Sequence, residues 1–146
     1  MNCSIPGMIK IAIADDHSRL RQAWTFILSR IPGISVVAEC SNGQEAIKAA
    51  KQHTPDVILM DINMEPVNGI EATENIRKQY PGTRIICMSL HNEASYVNRM
   101  MQAGASGYVT KNSPSTEMVE AIEMVSRGET YVCSEVRSSF LNASRG

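Results

Sequence analysis

Val57-Ile58-Leu59-Met60-Asp61 constrains the fold of this chain more than any other stretch. Four apolar residues follow Pro55-Asp56 without a break and end on a carboxylate. A short apolar run bounded by turn residues fits a strand buried on both faces, as at the centre of a parallel sheet. A carboxylate at the end of such a strand sits at the rim of the sheet, where open α/β folds place their ligands. A lone Asp there would only mark where the strand meets water. This one has company, because Ile9-Lys10-Ile11-Ala12-Ile13-Ala14 has the same character and runs straight into Asp15-Asp16. Two central strands therefore finish in three carboxylates.

The remaining elements alternate regularly. Ser18 caps a helix whose apolar residues, Leu20, Ala23, Trp24, Ile27 and Leu28, recur at helical spacing, and Pro32-Gly33 ends it. Residues 34–40 are strand-like, and Asn42-Gly43 opens a helix that turns Ala46, Ile47 and Ala50 inward. After Asp61 comes a loop through Asn68-Gly69, then a helix over 70–80 ended by Pro81-Gly82. A fourth strand spans 84–89. A polar helix near 94–102 carries Val97, Met100 and Met101 and stops at Gly104. The fifth strand, 107–110, runs into Lys111. Past Pro114 the last clear helix places Met118, Val119, Ile122 and Val125 on one face, with Gly128 after it.

Five strand–helix alternations with short connections predict an α/β domain, a doubly wound (βα)5 sheet with helices on both faces. In the flavodoxin-like strand order 2-1-3-4-5, the first and third strands are neighbours and the crevice lies at their C-terminal ends. From Glu129 the pattern thins. Thr130-Tyr131-Val132-Cys133 is extended in character, and 134–142 suits a short helix with Val136, Phe140 and Leu141 on one side. The expected division is a leader over 1–7, one domain over 8–128 and a connector over 129–146.

Composition removes several functional classes. A chain of 146 residues makes one domain with an ordinary core, and 14 Lys and Arg against 15 Asp and Glu leave no basic face for nucleic acid. No apolar run is long enough to cross a bilayer. Met1 to Gly7 lacks the charged start and apolar middle of a signal peptide, so a cytoplasmic location is expected. Cys3, Cys40, Cys87 and Cys133 are scattered, without the tight spacing a zinc site needs. Cys40 and Cys87 are expected to fill the core at strand ends.

Converging carboxylates need a counter-charge. Two like charges about 4 Å apart repel by roughly 4 kcal/mol at an effective dielectric near 20. Either a proton stays bound or a cation enters. Mg²⁺ suits a site of few carboxylates with room left for water and phosphate. Lys111, arriving at the end of the fifth strand, adds a second positive charge. Carboxylates, a metal and a lysine suit a phosphoryl group, whose transfer needs mainly positioning and charge neutralisation. Asp61 is placed to act as nucleophile and form an acyl phosphate.

These residues fall into a familiar order: Ala14-Asp15-Asp16-His17, Met60-Asp61-Ile62-Asn63-Met64, Ser89, Ala103-Gly104-Ala105-Ser106-Gly107-Tyr108 and Lys111. From Ile9 to about Arg127 the chain resembles the receiver domain of bacterial two-component response regulators, of the group with a LuxR-type (NarL-type) helix-turn-helix output. That resemblance implies phosphorylation of Asp61 by a sensor histidine kinase. It implies Mg²⁺ held directly by Asp16, Asp61 and the backbone carbonyl of Asn63, and through water by Asp15. Ser89 is then the hydroxyl that moves to the phosphoryl group, Tyr108 the aromatic switch behind it, and Lys111 the phosphate partner. It further implies a homodimer formed on phosphorylation, a changed face on the fourth helix and fifth strand, and DNA contact only through an output domain absent from this chain. The domain would assist its own phosphorylation and dephosphorylation without being an enzyme in the ordinary sense.

His17 reads as a helix-entry residue, while Asn63 and His91 sit where side chains would screen attacking water. One position departs from the family pattern. Glu65 stands where proline usually follows the methionine, and Pro66 comes one residue later, which turns Glu65 away from helical geometry and along the rim of the site. Three other readings compete. A flavodoxin-like cofactor binder would want Ser, Thr and Gly in its first loop, where Asp15-Asp16 would repel a phosphate. An aspartate-nucleophile phosphatase would want an acid at Asn63. A receiver-like scaffold that is never phosphorylated has only the Glu65-Pro66 shift in its favour.

Overall fold

The computed structural model describes residues 8–90 and 94–137. Its strands are β1 (Ile9–Ala14), β2 (Ile34–Cys40), β3 (Val57–Met60), β4 (Arg84–Ser89), β5 (Gly107–Thr110) and β6 (Tyr131–Val132). The helices are α1 (Ser18–Ser29), α2 (Gly43–His53), α3 (Gly69–Gln79), α4 (Ala94–Ala103) and α5 (Ser115–Ser126). All pairings are parallel, in the order β2-β1-β3-β4-β5-β6.

The centre of this sheet explains the sequence of β3. Val57, Ile58, Leu59 and Met60 are all fully buried, because helices cover both faces. Each such side chain contributes roughly 2 kcal/mol relative to exposure. α2 and α3 begin alike: Asn42 and Asn68 accept the Glu45 and Glu71 amides through their side chains, satisfying first-turn donors that would otherwise lack partners. Ala46, Ala49 and Ala50 of α2, and Ala72 and Ile76 of α3, face the core. Met118, Ala121, Ile122 and Val125 do the same from α5.

Three expectations are corrected. The sheet has six strands, not five. The additional strand pairs Tyr131 with Gly107 and Val132 with Tyr108, and two residues are too few to carry a readable alternation. In α1, Trp24 and Leu28 are buried as expected, but Ala23 is exposed. A methyl group gains little from burial, so alanine is a poor marker of a helix's inner face. The N-cap of α1 is His17, with Ser18 already helical. Cys40 and Cys87 are buried free thiols, and burial pushes Cys40 up to about 11 and Cys87 well above the usual range.

Candidate functional site

Strand register brings the acidic residues together. Ala14 of β1 pairs with Met60 of β3, so Asp15 and Asp61 leave adjacent strands at the same level, and the Asp61 amide donates to the Ala14 carbonyl at 3.0 Å. Asp15 is fully buried and Asp61 3% exposed, whereas the Asp16 side chain is 46% exposed. Single oxygens of Asp15, Asp16 and Asp61 and a ring nitrogen of His17 all lie within 4.8 Å of one another.

Lys111 enters from the other side. Its ammonium stands 2.8 Å from Asp15 Oδ2 and 3.2 Å from Asp61 Oδ2, itself buried. Burial pushes the Asp61 carboxyl up to about 6, assisted by Asp15 and Asp16 and opposed by Lys111. Burial acts on Asp15 in the same sense, but hydrogen bonds from Lys111 and the His17 amide outweigh it, so Asp15 is held below the usual carboxylate range. Lys111 is likewise penalised by burial yet raised by its two carboxylates. The two aspartates thus differ: Asp15 is the standing counter-ion of Lys111, and Asp61 is the carboxylate with charge to spare.

The loop after β3 is fixed by glycines. A Cβ on Gly69 would collide with the Asp61 backbone carbonyl, and one on Gly43 with the Val67 carbonyl. The Gly69 amide donates to the Ile62 carbonyl at 2.8 Å and the Gly43 amide to Val67 at 3.0 Å. The loop is therefore clamped at both ends. Asp16, Asn63, Met64, Glu65, Pro66 and Asn68 line an open cleft of about 570 Å³ beside it. Glu65 is exposed on that rim, and the Glu65–Pro66 peptide bond is cis.

Ser89, 1% exposed, ends β4 and pairs in register with Thr110, and its carbonyl accepts the Lys111 amide at 2.7 Å. Tyr108 pairs with Cys87, and its ring is fully buried already, before any change at Asp61. His17 contributes its amide to Asp15 Oδ1 at 2.9 Å, and its Nδ1 lies 3.2 Å from Asp15 Oδ1 and 3.1 Å from Asp16 Oδ1. His91 lies outside the described residues.

Arg21 went unnoticed in the sequence. From α1 it donates to the Asp15 carbonyl at 2.6 Å and to Glu39 at 3.0 Å, which ties the acidic turn to β2. A charged residue one turn into a helix looks like any solvated side chain. Its distance from Asp15, six residues, was the available signal.

Among the described residues, the donors gathered here are the carboxylate oxygens of Asp15, Asp16 and Asp61 and the exposed imidazole of His17, with the Lys111 ammonium on Asp15 and Asp61 and a cleft lined by Asp16 and Asn63. That donor set fits a hard divalent ion with water ligands.

Residues 11–123 match the response regulator receiver domain family. Transcriptional regulatory protein DegU of Brevibacillus brevis is 37% identical over 137 residues, which cover 94% of this chain and 58% of DegU. Response regulator GacA of Pseudomonas syringae pv. syringae is 36% identical over 129 residues, 88% of this chain and 60% of GacA. The crystal structure of a LuxR-family two-component response regulator from Aurantimonas sp. SI85-9A1 is similar with a TM-score of 0.91 at 32% identity, covering 95% of this chain and 99% of that one. The chain spans about three-fifths of the length of the curated relatives it matches.

Proposed function

The chain belongs to the response regulator receiver domain family, and on that premise we propose that it is a signalling domain controlled by phosphorylation of Asp61. The observation that carries this reading is the buried Lys111 ammonium between Asp15 and Asp61, next to Asp16, which lines the open cleft. A sensor histidine kinase is the proposed donor. An Asp61 oxygen attacks phosphorus as the donor's P–N bond breaks, and the electron pair leaves on the imidazole nitrogen. The product is an acyl phosphate, with Lys111 in reach of the new phosphoryl oxygens.

Asp16, Asp61 and the Asn63 carbonyl would hold Mg²⁺ directly and Asp15 through water. When bound, the ion supplies charge neutralisation for the phosphoryl oxygens. The phosphoryl group carries a charge of about −1.5 to −2 in place of the carboxylate's single charge, with three acceptor oxygens. Ser89 and Lys111, joined by a backbone hydrogen bond, respond to that charge and pass the change to β5 and the neighbouring α4 face.

The receiver is assigned to 8–128 and the connector to 129–146. Homodimerisation on phosphorylation, and DNA contact through an output domain beyond this chain, complete the proposal. No helix among the described residues is long and apolar enough to cross a membrane, in keeping with a proposed cytoplasmic role. The chemical test is lability. After incubation with acetyl phosphate and Mg²⁺, a covalent phosphoryl group lost on treatment with hydroxylamine supports an acyl phosphate, and one that survives refutes it.

A further inference from the structure

The chain past α5 does not leave the domain freely. It turns back at Gly128, where φ is +93°, and adds β6 to the outer edge of β5. The Tyr131 amide donates to the Ser106 carbonyl and the Cys133 amide to the Tyr108 carbonyl, both at 3.0 Å. Cys133 and Val136 are fully buried. The switch strand thus has a neighbour on each side: β4, with Ser89, and this returning segment.

Two side-chain clamps hold the segment in place. Glu117 of α5 accepts the Tyr131 hydroxyl at 2.7 Å, the Ser134 amide at 3.1 Å and the Ser134 hydroxyl at 3.0 Å. Charge-assisted bonds of this kind are about twice as strong as neutral ones. Burial raises the Glu117 carboxyl, but these three donors outweigh it and hold the carboxyl below its usual range. The second clamp is Thr110, whose hydroxyl lies 2.6 Å from Glu135 Oε2 and 3.0 Å from the Ser113 hydroxyl. Thr110 pairs with Ser89 and immediately precedes Lys111.

We propose that residues 131–137 are a latch on the switch strand, closed in the unphosphorylated chain and loosened when Asp61 carries a phosphoryl group. This rests on the reading of Asp61 given above. A phosphoryl group draws Lys111 and Ser89 toward Asp61. Thr110, tied to Ser89 by strand pairing and to Lys111 by the chain, moves with them and away from Glu135. The same motion shifts the Tyr108 carbonyl, to which Cys133 is bonded. The segment past α5 is therefore coupled to the acidic site through backbone and side-chain contacts.

Residue-resolved amide exchange tests the coupling, with beryllofluoride and Mg²⁺ as the phosphoryl mimic. Binding should reduce protection of the Tyr131 and Cys133 amides about tenfold, while Ile11, Ile13 and Leu59 stay protected. Glu117→Ala should open the same two amides without any ligand. Because coupling is reciprocal, it should also tighten beryllofluoride binding several-fold. Thr110→Val, which keeps β5 intact and removes only the hydroxyl clamp, should act in the same direction. Bound beryllofluoride with unchanged or increased protection at Tyr131 and Cys133 overturns the latch alone. A chain that binds no beryllofluoride overturns the reading of Asp61, and the coupling with it.

Discussion

The Lys111 ammonium lies 3.2 Å from the Asp61 carboxylate although the two residues are fifty positions apart and end strands separated by β4. The same ammonium is 2.8 Å from Asp15. One buried cation thus serves two buried anions, leaving an excess of negative charge beside Asp16.

Removing that cation should be costly without metal and less costly with it. Lys111→Ala leaves two buried carboxylates without their shared cation, and breaking a buried ion pair this way typically costs about 3 kcal/mol. Urea denaturation at pH 8 should show a loss of that order. Saturating Mg²⁺ should recover part of it, since the ion neutralises the same oxygens. A variant as stable as wild type without metal would mean that the ion pair has no structural weight.

Asp61→Asn should act in the opposite direction, with a definite pH dependence. The folded chain holds Asp61 at about 6, above 3.8 for an unperturbed aspartate, chiefly because it is buried. Folding therefore binds the Asp61 proton more tightly than the unfolded chain does. The ionised carboxylate weakens the fold above pH 6, and the effect fades as pH falls toward 4. Replacing it with a neutral isostere should stabilise the metal-free protein by about 3 kcal/mol at pH 8, and the gain should shrink between pH 6 and 4. Lys111 keeps Asp15 as partner in this variant. A gain independent of pH would rule out the charge explanation.

Gly69 tests how the loop is set. A Cβ there overlaps the Asp61 carbonyl backbone, while one on Gly82 meets nothing within 4 Å. Gly69→Ala should destabilise the domain by about 2 kcal/mol or more and weaken Mg²⁺ binding at least tenfold. Gly82→Ala should stay within about 0.5 kcal/mol of wild type. Equal effects at both positions would point to glycine entropy rather than to the crowding at Asp61.

Glu65 occupies the rim of the cleft beside Asp16, exposed to water. Solvent and salt screen its charge at this position. Glu65→Gln should change Mg²⁺ affinity less than twofold at physiological ionic strength, measured calorimetrically. A large tightening would show its carboxylate acting on the metal site, and the shifted proline would then have a regulatory meaning.

How much of this was legible in the sequence depends on what each residue does. β3 and the inner stretches of β1 and β4 announce themselves because strand segments buried on both faces must be apolar, and the carboxylates stand out against them. Lys111 was legible as a strand end; its bridging of Asp15 and Asp61 follows from register and could not be read. β6 was legible only as extended character, since edge pairing with β5 rests on backbone amides that any sequence carries. Glu117, Thr110 and Arg21 were illegible for a common reason: polar side chains on helix or strand surfaces look solvated until a distant segment folds over them. Phe26 shows the reverse case, an aromatic ring left 64% exposed beside Arg30, off the inward stripe of α1.

Intact-mass spectrometry after incubation with acetyl phosphate and Mg²⁺ measures directly whether Asp61, the proposed acceptor, takes the phosphoryl group. Wild type should gain the mass of one phosphoryl group, and Asp61→Asn, folded and at least as stable, should gain none. Equal labelling of the variant, or no labelling of the wild type, would show that Asp61 is not the acceptor.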